Sequence, residues 1–150
     1  MNVFNQRELK VIRQAHNIIA RKYKRGATFT SPQLVSDYLI TGMAFEEQEV
    51  FRVMLLDNQN RLIRDIEITR GTIDAASVFP REIAKAALIH NAAAVILAHN
   101  HPSGFAKPSQ ADKQITTLIA DALKLVQVRT IDHVIVGGVE TYSFANNGDL

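Results

Sequence analysis

The stretch AAVILAHNHPSGFAKPSQAD, residues 93–112, decides the fold of this chain. It begins with AAVILA, residues 93–98, an apolar run of the kind that forms a central strand buried on both faces of a sheet. Two prolines and a glycine then predict a loop over residues 99–108. Ser109 is a typical N-cap residue, and we expect a long helix to start there. The end of the strand should therefore lie close to the start of the helix.

The same stretch carries three side chains of the types that bind metal ions. His99 and His101 are two residues apart, so they project to the same side of an extended backbone. Asp112 lies three residues past Ser109, in the first turn of the helix. Two imidazoles and a carboxylate suit zinc, and three protein ligands leave a fourth tetrahedral position for water. Together, these features favour a metal site of the catalytic type.

Each feature alone has another explanation. Histidines are frequent in exposed loops, so a His-x-His pair by itself is a weak signal. Ser109-x-x-Asp112 also resembles a capping box at the start of a helix. Ser109 could cap the helix and still direct its hydroxyl group at the site.

The chain before residue 50 predicts two helices. Apolar and aromatic residues of the first helix recur at helical spacing and are Leu9, Ile12, His16, Ile19 and Tyr23. Gly26 is expected to end this helix, Ser31-Pro32 to start the second one, and Gly42 to end it. The second helix is expected to face the core with Leu34, Val35, Tyr38 and Leu39.

Strand patterns follow from Val50 onward. Val50–Leu56 is a mostly apolar strand, residues 57–60 form a turn, and residues 62–68 form the hairpin partner. The remaining predicted elements are a helix from Pro80 to about His90, a strand over 128–136 and a short strand over 142–145. The helix after Ser109 is expected to face the core with Ile115, Leu118, Ile119, Ala122 and Val126. This order predicts an α/β fold with a mixed sheet and flanking helices.

Composition excludes several classes of protein. With 150 residues, of which 47% are hydrophobic, we predict a single domain over residues 1–150, with a basic helix over 1–28 and a metal-binding core over 29–150. The absence of cysteine excludes disulfides, thiolate metal sites and a cysteine nucleophile. No apolar run approaches the ~18 residues needed to span a bilayer, so we expect no membrane contact and a cytoplasmic location.

Positive charge is concentrated near the N-terminus. Residues 1–30 hold seven Lys or Arg side chains against one acid, Glu8. The solvated face of a helix is the favoured explanation, and weak contact with nucleic acid through residues 21–25 is the alternative. No recognised DNA-binding motif occurs, and aromatic residues are not interleaved with the basic ones in a stacking pattern.

Residues 99–112 resemble the signature of the JAMM metalloproteases, also called MPN or JAB proteins. The signature is His-x-His, seven residues, Ser, two residues and Asp, and His99, His101, Ser109 and Asp112 match it without a gap. From about residue 30 to the C-terminus, the chain is similar to the RadC branch of that superfamily. The stretches that carry this similarity are Glu49-Val50-Phe51, Leu56-Asp57-Asn58, Arg70-Gly71-Thr72, Pro80-Arg81-Glu82, His99-Asn100-His101-Pro102-Ser103-Gly104, Pro108-Ser109 and Asp132-His133. RadC proteins usually carry an N-terminal helix-hairpin-helix region, for which this chain is too short, so it looks like a short stand-alone RadC-like protein.

The resemblance implies the cytidine deaminase-like α/β architecture of the MPN domain. It implies that His99, His101 and Asp112 bind zinc, and that Ser109 helps to stabilise the oxyanion of a tetrahedral intermediate. It also implies an acidic residue upstream that takes the proton of the zinc-activated water.

Three acids near the start of the first strand compete for that last role. Glu49 is favoured because it immediately precedes the apolar run and matches the Glu-Val-Phe position of the RadC pattern. Glu47 is the second choice. Glu46 is interpreted as a solvated surface acid.

Four further features have smaller expected roles. For His133, which follows Asp132 in an apolar strand, a satisfied core histidine is favoured over a hydrogen bond to a metal ligand. The other expectations concern loop orientation by Asn100 and Ser103, surface or helix-face positions for His16 and His90, and a backbone turn at Gly71-Thr72.

The sequence predicts a zinc-dependent hydrolase that cleaves a peptide or isopeptide bond of a protein substrate. One alternative is a nucleic-acid-associated protein, because RadC relatives carry a DNA-repair label, or an accessory protein of a mobile element. Another is a metal-bearing scaffold without activity. The substrate and the oligomeric state stay open, because specificity depends on the shape of flanking loops.

Overall fold

Four helices and five strands make up the described part of the chain, residues 3–24, 28–29, 31–71 and 78–150 of a computed structural model. In chain order the elements are α1 (Gln6–Lys24), α2 (Pro32–Met43), β1 (Val50–Leu56), β2 (Leu62–Arg70), α3 (Pro80–Ile89), β3 (Ala94–Asn100), α4 (Gln110–Leu125), β4 (Arg129–Gly137) and β5 (Glu140–Ser143). This is the predicted order, and the α/β class is confirmed. The predicted helix end at Gly26 and the Thr72 half of the predicted turn lie outside the described residues.

The strands form one mixed sheet in the order β2-β1-β3-β4-β5. β3 pairs antiparallel with β1 and parallel with β4. All seven residues of β3 are buried, because the strand has a neighbour on each edge and helices on both faces. The predicted loop start at His99 was wrong, since His99 and Asn100 continue the strand by pairing with Ile135 and Val136 of β4. The last strand begins two residues earlier than predicted, where Glu140 pairs with Gly137.

Helices cover both faces of the sheet. On one face, side chains of α2 cluster with Met54 of β1 and Ile96 of β3. On the other face, Ile83 of α3 and Ile119 of α4 cluster with Leu97 of β3 and are fully buried. Each such side chain contributes roughly 1.5–3 kcal/mol by leaving water. The cluster on this second face holds α4 against β3, and this contact positions the candidate site.

Two helices face the core with a narrower stripe than the sequence suggested. In α2, Val35, Tyr38 and Leu39 are buried as predicted, but Leu34 is 39% exposed. This residue lies in the first turn of α2, beyond the side that contacts the sheet.

In α4, the buried apolar residues Ile115, Ile119 and Leu123 recur every fourth position. The predictions for Leu118 and Val126 were wrong, because these residues are 55% and 37% exposed. Leu118 falls beside the buried line, and Val126 lies past the last residue of the helix.

α1 packs on α2 through a contact between His16 and Gly42. A Cβ atom at Gly42 would lie 2.8 Å from His16 Cε1, so glycine allows the helices to approach. The predicted end of α2 at Gly42 is one residue early, because α2 continues to Met43. His16 is half-buried on the face of α1 that its spacing indicated. Its Nδ1 lies 3.2 Å from the carbonyl oxygen of Tyr38 and 3.3 Å from Thr41 Oγ1.

The basic side chains of α1 face solvent. Arg7, Lys10, Arg21 and Lys22 are exposed, as expected for a solvated helix face. The side chains of Tyr23 and of the rest of the basic run lie outside the described residues, and contact with nucleic acid stays a prediction. Within the described ranges, no helix combines the length and the apolar character needed to cross a membrane.

His16→Gln is expected to flatten the pH dependence of folding. Burial lowers the pKa of His16, although the carbonyl of Tyr38 and the charge of Asp65 act in the opposite direction. The unfolded chain thus binds a proton at this ring more readily than the folded chain. The stabilisation that depends on neutral His16 is therefore complete above the unfolded-state pKa of about 6.5. It is lost as the pH falls from there through the lowered pKa of the folded state.

Urea unfolding of both proteins from about pH 8 to about pH 5 measures this effect, since histidine changes charge in that range. The wild type should lose more free energy of unfolding than the variant. Equal losses would contradict the role given to His16.

Candidate metal centre

Three side chains converge where β3 ends and α4 begins. His99 is in β3, His101 follows the strand, and Asp112 is in the first turn of α4. His99 Nε2 lies 3.0 Å from His101 Nε2 and 3.2 Å from Asp112 Oδ1, and His101 Nε2 lies 3.4 Å from Asp112 Oδ2. The structure thus brings together the three residues that the sequence analysis assigned to a metal, and they form a group that could hold a metal ion.

The geometry of these donor atoms fits a small divalent cation. Tetrahedral zinc with bonds of about 2.0–2.1 Å separates neighbouring ligand atoms by about 3.3 Å, which agrees with the observed separations. His99 and Asp112 are 2% and 8% exposed, whereas His101 is half-buried. The group is therefore covered by protein on one side and accessible beside His101. Since imidazole and carboxylate also suit iron and cobalt, the donor set defines a metal-binding group without selecting the metal.

The loop after β3 sets the ring of His101. Its Nδ1 lies 2.8 Å from the carbonyl oxygen of Phe105, and a carbonyl only accepts, so Nδ1 donates and the Nε2 lone pair faces the group. The loop turns through Gly104, whose φ of +88° favours glycine and whose N–H donates to the carbonyl of His101. It then packs on Gly137 of β4, where a Cβ atom would lie 2.5 Å from Ala106 N.

Asp112 supplies the negative charge of the group. Burial alone would raise the pKa of Asp112, but contacts with the side chains of His101 and His99 outweigh burial and hold that pKa well below its usual range. The contact with Asp112 also raises the pKa of His101, against the effect of burial. Imidazole lone pairs that face a carboxylate attract a cation. That cation is either a proton, which would bind to His101, or a metal ion. Metal binding here should therefore compete with protons.

Ser109 caps α4 and ties the start of the helix to Asp112. Ser109 Oγ accepts a hydrogen bond from Asp112 N at 3.1 Å, and Ser109 N donates to Asp112 Oδ2 at 2.8 Å, which forms a capping box. The capping interpretation is therefore confirmed. Because Oγ acts as an acceptor in the cap, its own proton is available to another group, and the predicted contact with an oxyanion stays a prediction.

The three candidate acids differ in their surroundings. Glu46 is partly exposed and pairs with the exposed side chain of Arg70, with 2.7 Å between Oε2 and Nη1. Glu47 is exposed. Glu49 is half-buried directly before β1, and its charge adds to the upward shift in the pKa of His101. Glu49 thus lies within electrostatic reach of the metal-binding group, and its role as a base stays a prediction.

Asn100 holds the segment that carries Glu49. Its side chain, 2% exposed, accepts a hydrogen bond from Val50 N at 2.7 Å and donates to the carbonyl of Gln48 at 3.0 Å. These contacts flank Glu49 and fix the backbone on both sides of it. Asn100 was predicted to orient its own loop, but its side chain contacts a segment 50 residues earlier. Ser103 does contact its own loop as expected, because its Oγ accepts from the backbone N–H two residues later.

Two residues behind His99 were not assigned to the site. His133 is completely buried, and its Nε2 lies 2.8 Å from His99 Nδ1. The role predicted for His133 was a satisfied core histidine rather than a contact with a metal ligand, and this one residue has both roles. Burial lowers the pKa of His133 well below its ordinary value. Thr116, which contacts His133, lies one helical turn after Asp112, and this spacing is the signal that could have identified it.

The fold and this site define the class of protein. A mixed sheet with flanking helices places a His-x-His pair and an aspartate at the junction of a buried strand and a helix. Residues 29–149 match the model of the family described as the RadC-like JAB domain, and the chain belongs to this family.

Curated proteins with a shared name are similar to this chain. It is 53% identical over 138 residues to a UPF0758 protein of Vibrio cholerae serotype O1 (strain M66-2). The matched region covers 92% of this chain and 62% of that protein. It is 51% identical over 140 residues to a UPF0758 protein of Aeromonas hydrophila, with 93% of this chain and 62% of the relative covered. It is 52% identical over 143 residues to a UPF0758 protein of the El Tor Inaba strain of Vibrio cholerae, with 95% and 90% covered. The chain thus spans less than two thirds of the first two relatives and most of the third.

Asn100→Ala is expected to destabilise the segment before β1 and to leave the metal-binding group intact. Val50 N–H would lose its buried acceptor, which costs about 1–3 kcal/mol of unfolding free energy. The donor atoms of His99, His101 and Asp112 do not depend on this amide. Urea unfolding measures the first effect, and zinc titration against a chelator measures the second.

Asn58→Ala is a matched control, because Asn58 is exposed between β1 and β2. Its unfolding should follow the wild type. If both variants unfold at the same urea concentration, the amide of Asn100 does not hold the segment.

Proposed function

We propose that this protein is a zinc-dependent hydrolase that cleaves a peptide or isopeptide bond. The observation that carries the proposal is the convergence of His99 Nε2, His101 Nε2 and the carboxylate of Asp112 within 4.8 Å, with access beside His101. Three protein ligands with an accessible side are typical of catalytic zinc rather than structural zinc. Membership in the RadC-like JAB family supports the same chemistry.

The three proposed metal ligands would bind the ion, and they differ in charge and in how they are oriented. His99, His101 and Asp112 would hold the ion, and a bound zinc ion supplies Lewis acidity that polarises a carbonyl and makes water nucleophilic near neutral pH. Asp112 reduces the net positive charge of the site. The carbonyl of Phe105 keeps the ring of His101 directed at the group.

Glu49 is the residue that we expect to move the proton. Its carboxylate would accept a proton from the attacking water and deliver it to the leaving nitrogen of the substrate. Glu49 is half-buried, and Asn100 forms hydrogen bonds with the backbone of both neighbouring residues. Both observations support this role. The hydroxyl of Ser109 would donate to the developing oxyanion while its oxygen continues to cap α4.

The choice of an amide bond rests on the resemblance to JAMM metalloproteases. The names of the relatives assign no activity, so the substrate class belongs to the proposal. A protein or peptide is the expected partner. Weak contact of nucleic acid with the exposed basic side chains of α1 is the alternative to a solvated helix face, and weakening of DNA binding by salt would test it, since phosphate contacts are salt-dependent.

Glu49→Gln is expected to slow hydrolysis strongly and to retain zinc. Removal of a general base lowers turnover by about 100- to 10,000-fold, whereas none of the three proposed metal ligands is changed. Mass spectrometry of products from a mixed peptide library and from isopeptide-linked lysine peptides measures turnover, and elemental analysis measures zinc.

Glu47→Gln is the matched control, because it removes a neighbouring exposed carboxylate. It should hydrolyse the same peptides as the wild type. Undiminished hydrolysis by Glu49→Gln would refute Glu49 as the base. Absence of hydrolysis by zinc-loaded wild type would favour a scaffold without activity.

A further inference from the structure

A line of polar contacts runs from His99 into the core. His99 Nδ1 lies 2.8 Å from His133 Nε2, His133 Nδ1 lies 2.5 Å from Thr116 Oγ1, and Thr116 Oγ1 lies 2.6 Å from the carbonyl oxygen of Asp112. His99, His133 and Thr116 are at most 2% exposed. Since a buried donor or acceptor without a partner is unfavourable, each proton in this line has a defined place.

The carbonyl of Asp112 sets the direction of the line. A carbonyl only accepts, and two oxygens 2.6 Å apart need a proton between them, so the hydroxyl of Thr116 donates to it. The single proton of Thr116 is thereby engaged. Thr116 Oγ1 must then accept from His133, so the hydrogen of this contact is on His133 Nδ1.

The surroundings of His133 decide the state of its other nitrogen. Its ring stacks on Phe144 with 4.7 Å between centroids and meets Phe51 edge-on at 5.5 Å. A second proton would place an unpaired charge in this apolar environment, which is costly. His133 Nε2 is therefore an acceptor, and His99 Nδ1–H donates to it. His99 then has a bare Nε2, the atom that lies 3.2 Å from Asp112 Oδ1.

We infer that His133 and Thr116 are positioning residues that hold His99 as the tautomer whose Nε2 is free to bind the metal. The inference rests on the proposed function for the metal itself and extends the site beyond the His-x-His and Asp pattern. An outer acceptor commonly orients a metal-binding histidine, and its loss weakens metal affinity by about 10- to 100-fold. Because Thr116 and Asp112 are on the same helix, α4 supplies one ligand and also anchors the partner of another.

Thr116→Val tests the anchor, since it removes the hydroxyl and nearly preserves the shape. Its zinc dissociation constant, measured by chelator competition, should rise about 10- to 100-fold. Thr116→Ser, which retains the hydroxyl, should bind like the wild type. Thr130→Val is the matched control, because the buried hydroxyl of Thr130 has no hydrogen-bond partner among the described residues.

His133 can be tested in the same way. His133→Gln retains one acceptor and one donor, so it should bind zinc more tightly than His133→Leu, which has neither. If His133→Leu fails to fold, the comparison of Thr116→Val with Thr130→Val decides the question alone.

Nitrogen NMR of metal-free protein labelled at histidine reads the tautomer directly. In the wild type, His99 should carry its hydrogen on Nδ1, and in Thr116→Val it should show a mixture of tautomers. Signals of the five histidines are assigned from single His→Gln variants.

Two results would overturn the inference: equal zinc affinity in Thr116→Val and Thr130→Val, or a wild-type His99 protonated at Nε2. If the wild type binds no zinc, the proposed function fails. In that case the NMR comparison still supports or refutes the control of the tautomer by Thr116.

Discussion

The carboxylate of Asp112 is the group on which the rest of the site depends. Oδ1 lies 3.2 Å from His99 Nε2, while Oδ2 lies 3.4 Å from His101 Nε2 and accepts a hydrogen bond from Ser109 N. One side chain therefore caps α4 and also faces both imidazoles. The N-terminus of a helix favours negative charge, which agrees with the lowered pKa of Asp112. The end of β3 and the start of α4 cannot separate without loss of both the cap and the metal-binding group.

The sheet holds this group rigidly because the residues around it are fixed by buried contacts. β3 is buried along its whole length, and His99 remains within it. The loop that carries His101 packs so closely on Gly137 that no side chain fits there. Asn100, between the two histidines, reaches back to the start of β1 and fixes the segment of Glu49. The metal-binding group and the candidate base are thus connected through one buried amide.

Much of this arrangement could be predicted from sequence, because it is encoded locally. The apolar run over residues 93–98, the cap at Ser109 and the spacing of His99, His101 and Asp112 predicted a strand, a helix and a convergence of side chains at their junction. The order of the helices and strands also followed from periodicity and turn residues. These features depend on residues that are close together in the chain.

What the sequence did not predict depends on partners that are distant in the chain. The contact between His133 and His99 joins residues 34 positions apart, and Asn100 contacts Val50 across 50 positions. Glu46 could not be recognised as paired without the position of Arg70. Periodicity shows which helical residues are apolar, but the width of the buried stripe depends on how each helix lies on the sheet. For this reason Leu34 and Leu118 were expected inside and are exposed.

The central claim is that one metal ion binds at the junction of β3 and α4. A crystal structure of the zinc-loaded protein, with anomalous scattering measured on both sides of the zinc absorption edge, tests it most directly. We expect one strong peak within about 2.0–2.2 Å of His99 Nε2, His101 Nε2 and an oxygen of Asp112, with no fourth protein ligand. A peak elsewhere, or no peak at these three atoms, would contradict it.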